Sequence, residues 1–488
     1  MTHTAPHIAI IGAGIGGLAA ALRLAHSGAR VSVFERHATP GGKIRTLPSV
    51  AGPVDAGPTV LTLKSVFDAL FAEVGLQLDD HVTLTLQDVI ARHFWPDGTC
   101  LDLMRNHAES ADNIHTMFGP KSAAEFTAFS QKTAKLFHAF NPSMMQSAAP
   151  SLPALTRLVA TNPHLIPAMD PLRSLAGSLR KQFSEPRLAQ LFARYATYVG
   201  GLPNAAPALL GLIYHAEAQG VWHVQGGMHQ LARAIEKCAM TFGAVFHYNG
   251  HINRIEAQSG TACAIHTDGA RHAVDAVIFN GDPRALTTGA LGPAAQSAVP
   301  DTGTDPRSLS ASVMSFAAIP QGADLSAHNV FFARDPHTEY TPLTQGQPQP
   351  DPTLYVCAQD RFGNATPTGP ERFEIILNSP PASTDKARET CKTLILSTLS
   401  QHGLTFSPTP DTVTQPQDFA AMFPASMGSL YGRSPHGMMA AFKRPTARTA
   451  VKGLYLTGGG AHPGAGVPMA ALSARHAAAA IMTDLRLT

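Results

Sequence analysis

A chain of 488 residues is too long for one ordinary core, so two or three domains, or one large interwoven pair, are expected. Charged residues at 14% and hydrophobic ones at 44% exclude a disordered or coiled-coil chain, and a formal charge of +2 argues against nucleic acid as a main partner. Five cysteines (Cys100, Cys238, Cys263, Cys357 and Cys391) are an odd number without CxxC spacing, which points away from a disulfide framework or zinc ribbon and suits a reducing cytoplasm.

Residues 8–22 are apolar and close to the N-terminus, as the core of a secretory signal would be, but only His3 and His7 precede them and no basic flank is present. Their glycines and alanines fall where a phosphate-binding turn needs them. No other stretch offers the ~20 uninterrupted apolar residues of a spanning helix, so any membrane contact is expected to be peripheral.

The pattern at this end is strand, tight turn, helix. His7 to Ile11 is a short β-branched run, Gly12-Ala13-Gly14-Ile15-Gly16-Gly17 follows, and residues 18–25 are helix formers. Gly12 permits the turn, Gly14 leaves no side chain where a pyrophosphate approaches, and Gly17 lets the helix pack on the strand. The helix N-terminus then offers unpaired N–H groups and a favourable dipole to the phosphates. A second strand, residues 30–34, ends at Glu35, 18 residues past Gly17. A carboxylate there can accept from both ribose hydroxyls, and Glu35, with Arg36 beside it, is assigned to the dinucleotide.

A second glycine pair follows at once in Pro40-Gly41-Gly42-Lys43-Ile44-Arg45-Thr46. Nicotinamide dehydrogenases do not need it, whereas an extended FAD needs a second loop beside its pyrophosphate and ribityl chain. The cofactor read here is therefore FAD. Lys43 and Arg45 either add positive charge near those phosphates or stand as solvated loop cations, and both readings stay open.

With these loops the sequence resembles the bacterial-type phytoene desaturase family of FAD-dependent carotenoid dehydrogenases, within the wider group that includes amine oxidases. The likeness continues in Val54-Asp55-Ala56-Gly57-Pro58-Thr59-Val60, in Gly220 to Met228, and most specifically in Gly453-Leu454-Tyr455-Leu456-Thr457-Gly458-Gly459-Gly460-Ala461-His462-Pro463-Gly464-Ala465-Gly466-Val467, with Ser473 beyond it. Where the family usually has a proline before its paired mid-chain glycines, this sequence has Val224. The likeness is patchy over residues 91–189 and 290–423. Its overall texture is most similar to the 1-hydroxycarotenoid 3,4-desaturases of purple phototrophic bacteria. The resemblance implies that Gly57, Pro58, Thr59, Gly458, Gly459, Gly466, Val467 and Met469 lie along the flavin and that the Ile252 backbone faces adenine. It also implies a strand ending at Thr457 and a helix beginning near Val467, with Pro468 early in it.

The fold class this implies is α/β: a Rossmann-like FAD-binding domain of amine-oxidase-like architecture, interwoven with an α+β substrate domain. The FAD domain is expected to comprise residues 1–83, 219–283 and 443–488, and the substrate domain residues 84–218 and 284–442. In the middle piece, residues 230–239 read as a helix, 243–248 and 252–255 as strands, and 275–283 as a closing strand and turn. Residues 151–194 carry Arg157, Arg173, Arg180, Lys181, Arg187 and Arg194 against Asp170 and Glu185. Such a basic, apolar helical region is either a membrane-contacting surface or a helical lid with solvated arginines.

Removing two hydrogens from a CH₂–CH₂ unit requires a hydride acceptor, supplied by flavin, and a sink for one proton. A polyene spreads the intermediate positive charge, so a strong base is unnecessary and no catalytic residue is assigned. His462 is a candidate proton shuttle or a partner of its own loop's backbone, and Arg157 and His223 are weaker candidates. His247 and His251 do not have helical metal-ligand placement, so no metal is expected. The expected partners are an apolar carotenoid in a tunnel and an external electron acceptor, quinone or oxygen, since no second GxGxxG provides for NAD(P)H. The expected location is cytoplasmic, on the face of the inner photosynthetic membrane. Other readings are a phytoene or neurosporene desaturase, a redox-neutral carotenoid isomerase, a flavin amine oxidase, and a flavin-free isoprenoid-binding escort protein.

Overall fold

Ile8 and Ile10 point to one side of the first strand, His7–Ile11, while Ala9 and Ile11 point to the other, and this two-residue alternation sets up the nucleotide half of the molecule. The computed structural model describes residues 5–364, 367–382, 388–410 and 412–487. His7–Ile11 is the central strand of a five-stranded parallel sheet, in the order Leu454–Leu456, Ala276–Phe279, His7–Ile11, Arg30–Phe34, Val245–His247. Ile10 is registered between Val33 and Ile278. A parallel sheet needs cover on both faces. Leu18, Leu22, Leu231, Ile235, Leu472 and Ile481, from the helices Ile15–His26, His229–Thr241 and Val467–Leu485, pack against Ile8, Ile10, Val31 and Val33. On the opposite face Ile255 and Ile265, from the antiparallel sheet Arg254–Gln258, Thr261–His266, Arg271–Ala273, meet Ala9, Ile11, Val277 and Phe279.

The second half is a seven-stranded sheet in the order Leu404–Ser407, Ser310–Gly322, Glu371–Ser379, Leu354–Ala358, His328–Phe331, Val89–Phe94, Cys100–Met104. Its strands pair antiparallel except His328–Phe331 with Val89–Phe94, where two distant chain segments lie side by side. Helices between His107 and Ala218 pack beside this sheet, with Phe126, Phe129, Phe192 and Tyr214 in mutual ring contact.

Three expectations about local structure need correction. The strand expected at 252–255 starts later and runs further, covering Arg254–Gln258, and Ile252 precedes it with its side chain buried. The 243–248 strand shrinks to Val245–His247, because the chain is still turning at Gly243, which has φ +92°. The mid-chain helix runs past both expected ends, covering His229–Thr241.

Candidate active site

The glycine turn is packed from three directions. A Cβ on Gly17 would stand 2.0 Å from the Gly12 carbonyl oxygen, so helix and strand approach to a distance only glycine allows. The second loop lies directly on the first: Gly41 N–H donates to the Ala13 carbonyl at 2.8 Å, and Gly42 lies against the Gly14 Cα. Helix Ile15–His26 has Gly14 as its N-cap, without a side-chain cap and without an acidic residue in its first turn. An uncapped N-terminus at a glycine turn is the chemistry a pyrophosphate requires. Glu35 is buried; its oxygens accept from Ala13 N–H at 2.7 Å and His37 N–H at 2.9 Å, which leaves carboxylate lone pairs for further donors.

The C-terminal motif closes on the same turn. Ser473 Oγ accepts from Gly458 N–H at 2.8 Å and donates to the Ala470 carbonyl at 2.7 Å, which ties strand end to helix. Helix Val467–Leu485 starts at the expected residue, with Pro468 in its first turn and no capping side chain. Gly57 packs on the Lys43 backbone, since a Cβ there would reach the Lys43 oxygen at 1.9 Å. Beyond these loops opens a cavity of about 490 Å³. Its walls include Pro58, Thr59 and residues 464–469 at one part, and Phe137, Phe140, Met144, Leu155, Met169 and Leu212 at another.

Other proposed positions fall differently. Neither Lys43 nor Arg45 is a solvated loop cation. Lys43 Nζ donates to the Leu430 carbonyl and lies 5.6 Å from the Phe423 ring centre. Burial pushes its ammonium down to about 8, partly offset by Asp282. Arg45 sits 5.7 Å from the Phe419 ring centre, with Nη2 3.4 Å from Thr414 Oγ1 and Nε buried without a hydrogen-bond partner. Arg36 is exposed. His462 does not hydrogen-bond its own loop: Nε2 donates to the Ser147 carbonyl at 2.9 Å, and burial lowers its pKa. Arg157 is exposed on helix Leu152–Thr161, and His223 stacks on Phe362 at 3.7 Å. Of the six basic residues in 151–194, Arg194 is buried and lines the cavity, and Arg187 is paired with Glu185 and Asp97.

Two residues that sequence reasoning did not single out organise the site. Asn280 Nδ2 donates to the Gly12 carbonyl at 3.1 Å, and its Oδ1 is the atom a Cβ on Gly16 or Gly458 would strike first. Arg444 is buried, donates to the carbonyls of Gly459 at 2.7 Å and Arg433 at 2.7 Å, and lines the cavity. Asn280 was signalled only by its place after a strand; nothing local marks Arg444.

Residues 15–482 match the family described as flavin containing amine oxidoreductase. The chain belongs to that family. Its uncapped glycine turn and buried Glu35 fit the family's flavin, and the cofactor is FAD. Among curated proteins, the chain is 50% identical over 490 residues to a hydroxyneurosporene desaturase of Cereibacter sphaeroides, covering 99% of each. It is 46% identical over 484 residues to a hydroxyneurosporene desaturase of Rhodobacter capsulatus, covering 98% of each. It is 28% identical to a 4,4'-diapolycopene oxygenase of a Methylomonas species, again covering 98% of each. Among solved structures, an oxidoreductase from Methanosarcina mazei superposes with a TM-score of 0.64 at 18% identity, over 96% of this chain and 99% of that one. Wild-type putrescine oxidase bound to putrescine gives 0.61 at 14% identity, over 98% of this chain and 99% of that one. These structures share the fold: a Rossmann-like flavin domain interwoven with a substrate domain.

Proposed function

We propose that this chain is an FAD-dependent carotenoid desaturase that introduces the 3,4 double bond into an acyclic 1-hydroxycarotenoid. The observation that carries the reading is the cavity: an apolar chamber whose wall includes Pro58, Thr59 and the start of helix Val467–Leu485. A long hydrocarbon fits such walls, and the relatives named hydroxyneurosporene desaturase support the choice of carotenoid.

In this reading Gly12, Gly14, Gly16 and Gly17 and the helix start at Ile15 hold the pyrophosphate. Glu35 holds the ribose, and the Ile252 backbone faces adenine. Gly41, Gly42, Gly57, Gly458 and Gly459 leave room for the ribityl chain, while Pro58, Thr59, Gly466, Val467 and Met469 border the ring. When bound, FAD supplies the hydride acceptor. The protein supplies position and dryness. The uncapped start of helix Val467–Leu485, on the cavity wall, would offer its positive dipole end to the flavin. Removal of the second hydrogen as a proton follows without a strong base, because the polyene cation acidifies the neighbouring C–H. The electrons leave to an external quinone or oxygen.

Among the described residues no helix is long and apolar enough to cross a membrane. Leu152, Ile166 and Leu172 are exposed at 47%, 47% and 96%, near Arg157, Arg173, Arg180 and Lys181, which are also exposed. This face, next to cavity-lining Leu155, is proposed to rest on the inner photosynthetic membrane and to admit the substrate.

The experiment is expression in cells that accumulate acyclic carotenoids, hydroxylated or not, with identification of the pigments. A red-shifted product with a new 3,4 double bond from the hydroxylated substrate alone is expected. Conversion only of unhydroxylated phytoene or neurosporene would move the protein to another desaturase step, and geometric isomerisation without a lengthened polyene would make it an isomerase.

A further inference from the structure

Arg194 is an unusual occupant of an apolar wall. It lies in the 3-10 segment Arg194–Val199, is only 6% exposed and lines the cavity. Its Nη1 donates to Tyr198 Oη at 2.9 Å, but Nε and Nη2 are buried without a hydrogen-bond partner. Tyr198 Oη donates to Glu217 Oε1 at 2.6 Å, and Tyr195 Oη donates to Glu217 Oε2. The carboxylate therefore anchors two phenols, one of which holds the guanidinium in place. Burial opposes the guanidinium's charge, but Tyr198, Glu217 and Tyr195 more than compensate and hold its pKa above the ordinary value. The unmet N–H groups of a buried cation cost free energy until an acceptor reaches them.

A complementary unmet group lines the same cavity. Glu339 is fully buried; Oε2 accepts from Thr353 Oγ1 at 2.8 Å, while Oε1 has no partner. Arg194, Glu339 and its neighbour Tyr340 all line the one cavity. A hydroxyl is both acceptor and donor, and so has the chemistry to meet either need. The cluster also adjoins the flavin loops. Tyr355 Oη lies 3.0 Å from Thr59 Oγ1 and 2.7 Å from His328 Nδ1, and Thr59, Tyr355 and Arg194 line the same cavity. In a 1-hydroxylated chain one carbon separates the oxygen-bearing carbon from C3, so the group that reads the hydroxyl must lie beside the reacting bond.

We infer that Arg194, positioned by Tyr198 and Glu217 and assisted by Glu339, forms the subsite that binds the hydroxyl-bearing end of the isoprenoid substrate and selects it over the hydrocarbon. This rests on the desaturase reading above. A site built to hydrogen-bond a hydroxyl discriminates strongly against the analogue without it.

The test uses FAD-loaded enzyme with hydroxyneurosporene and neurosporene, comparing kcat/KM for wild type, Arg194→Leu and Tyr198→Phe. The ratio of the two values is expected to fall at least tenfold in Arg194→Leu and by a smaller factor in Tyr198→Phe, with Arg194→Lys recovering part of it. Parallel losses on both substrates, with the ratio within twofold of wild type, would overturn the subsite and leave the desaturase reading intact. Tyr198→Phe removes one oxygen atom and keeps the question answerable if Arg194→Leu does not fold. If FAD-loaded wild type desaturates neither substrate, the desaturase reading itself fails, and this inference with it.

Discussion

The carboxamide of Asn280 donates to the carbonyl oxygen of Gly12 across 3.1 Å, joining the end of one parallel strand to the turn that follows its neighbour. The same side chain is wedged against the turns at Gly14, Gly16 and Gly458. It knits together backbone from the first, middle and last portions of the chain. Asn280→Ala removes the donor and leaves a part-buried carbonyl short of a partner, at a cost of about 1–3 kcal/mol. Because the Gly12 turn is the one proposed to hold the pyrophosphate, its loosening is also expected to weaken FAD binding. Fluorescence titration of apoprotein with FAD checks this, and an unaltered dissociation constant would remove Asn280 from the site.

Two glycines in one turn are expected to fail in different ways. Gly17→Ala drives its methyl group to within 2.0 Å of the Gly12 oxygen, a backbone atom that cannot turn aside, so the fold itself loses stability with or without FAD. Gly14 has φ −71° and ψ 172°, open to any residue, and a Cβ there meets Asn280 Nδ2 at 3.0 Å. Gly14→Val is therefore expected to fold but to purify colourless, because the branched side chain would occupy the space proposed for a phosphate. Thermal melts of the apoproteins separate the two: Gly17→Ala melts well below wild type and Gly14→Val close to it. A yellow Gly14→Val protein would contradict the placement of the pyrophosphate.

What could be read from the sequence was what neighbouring residues decide among themselves. The β-branched run at Ile8 to Ile11, the glycines after it and the proline one residue into the last helix carry their geometry locally, and strand, turn and helix lie where they announce them. Side chains whose partners are distant were not readable. Lys43 looks like a loop cation until the chain returns 387 residues later with the Leu430 carbonyl, and His462 finds its acceptor on Ser147, 315 positions away. Arg194 counts with the surface arginines by composition, although the local fold turns it inward beside Tyr198. The seven-stranded sheet was hidden for a related reason: its parallel contact joins Val89–Phe94 to His328–Phe331.

Asp282, in the turn after Ala276–Phe279, and Arg307, just before Ser310–Gly322, form a buried ion pair with side chains 7% and 4% exposed. Arg307 also donates to the carbonyls of Thr304 at 2.9 Å and Ser426 at 3.2 Å. Removing the guanidinium leaves the buried carboxylate without its ion-pair partner and with only the Arg284 N–H, at 3.0 Å, donating to it, which costs about 3–5 kcal/mol. Arg307→Met is expected to destabilise more than Asp282→Asn, because after the latter the guanidinium keeps an amide oxygen and the Thr304 and Ser426 carbonyls as acceptors. Denaturant melts of both variants and of the double variant give the coupling. Equal, small effects would mean that the pair contributes little to joining the two halves.

Acid stability follows from buried imidazoles. Burial, helped by the nearby Arg194, depresses His93 to about 3, and burial, with His223 and Arg194, depresses His328 to about 3. Both are essentially inaccessible, and each has an Nε2 without a hydrogen-bond partner. In the unfolded chain they titrate near 6.5, so from that pH down to about 3 the unfolded state binds protons that the folded state refuses. Stability therefore rises with pH across this window and is lost as pH falls through it, by up to about 1.4 kcal/mol per pH unit for each histidine. The expected outcome is a thermal midpoint that drops steadily from pH 6.5 to 4.5, and less steeply in His328→Asn, which cannot take up the proton. The same slope in variant and wild type would show that His328 is protonated in the folded protein and that its surroundings are wetter than the packing of Tyr355 and Phe362 against it implies.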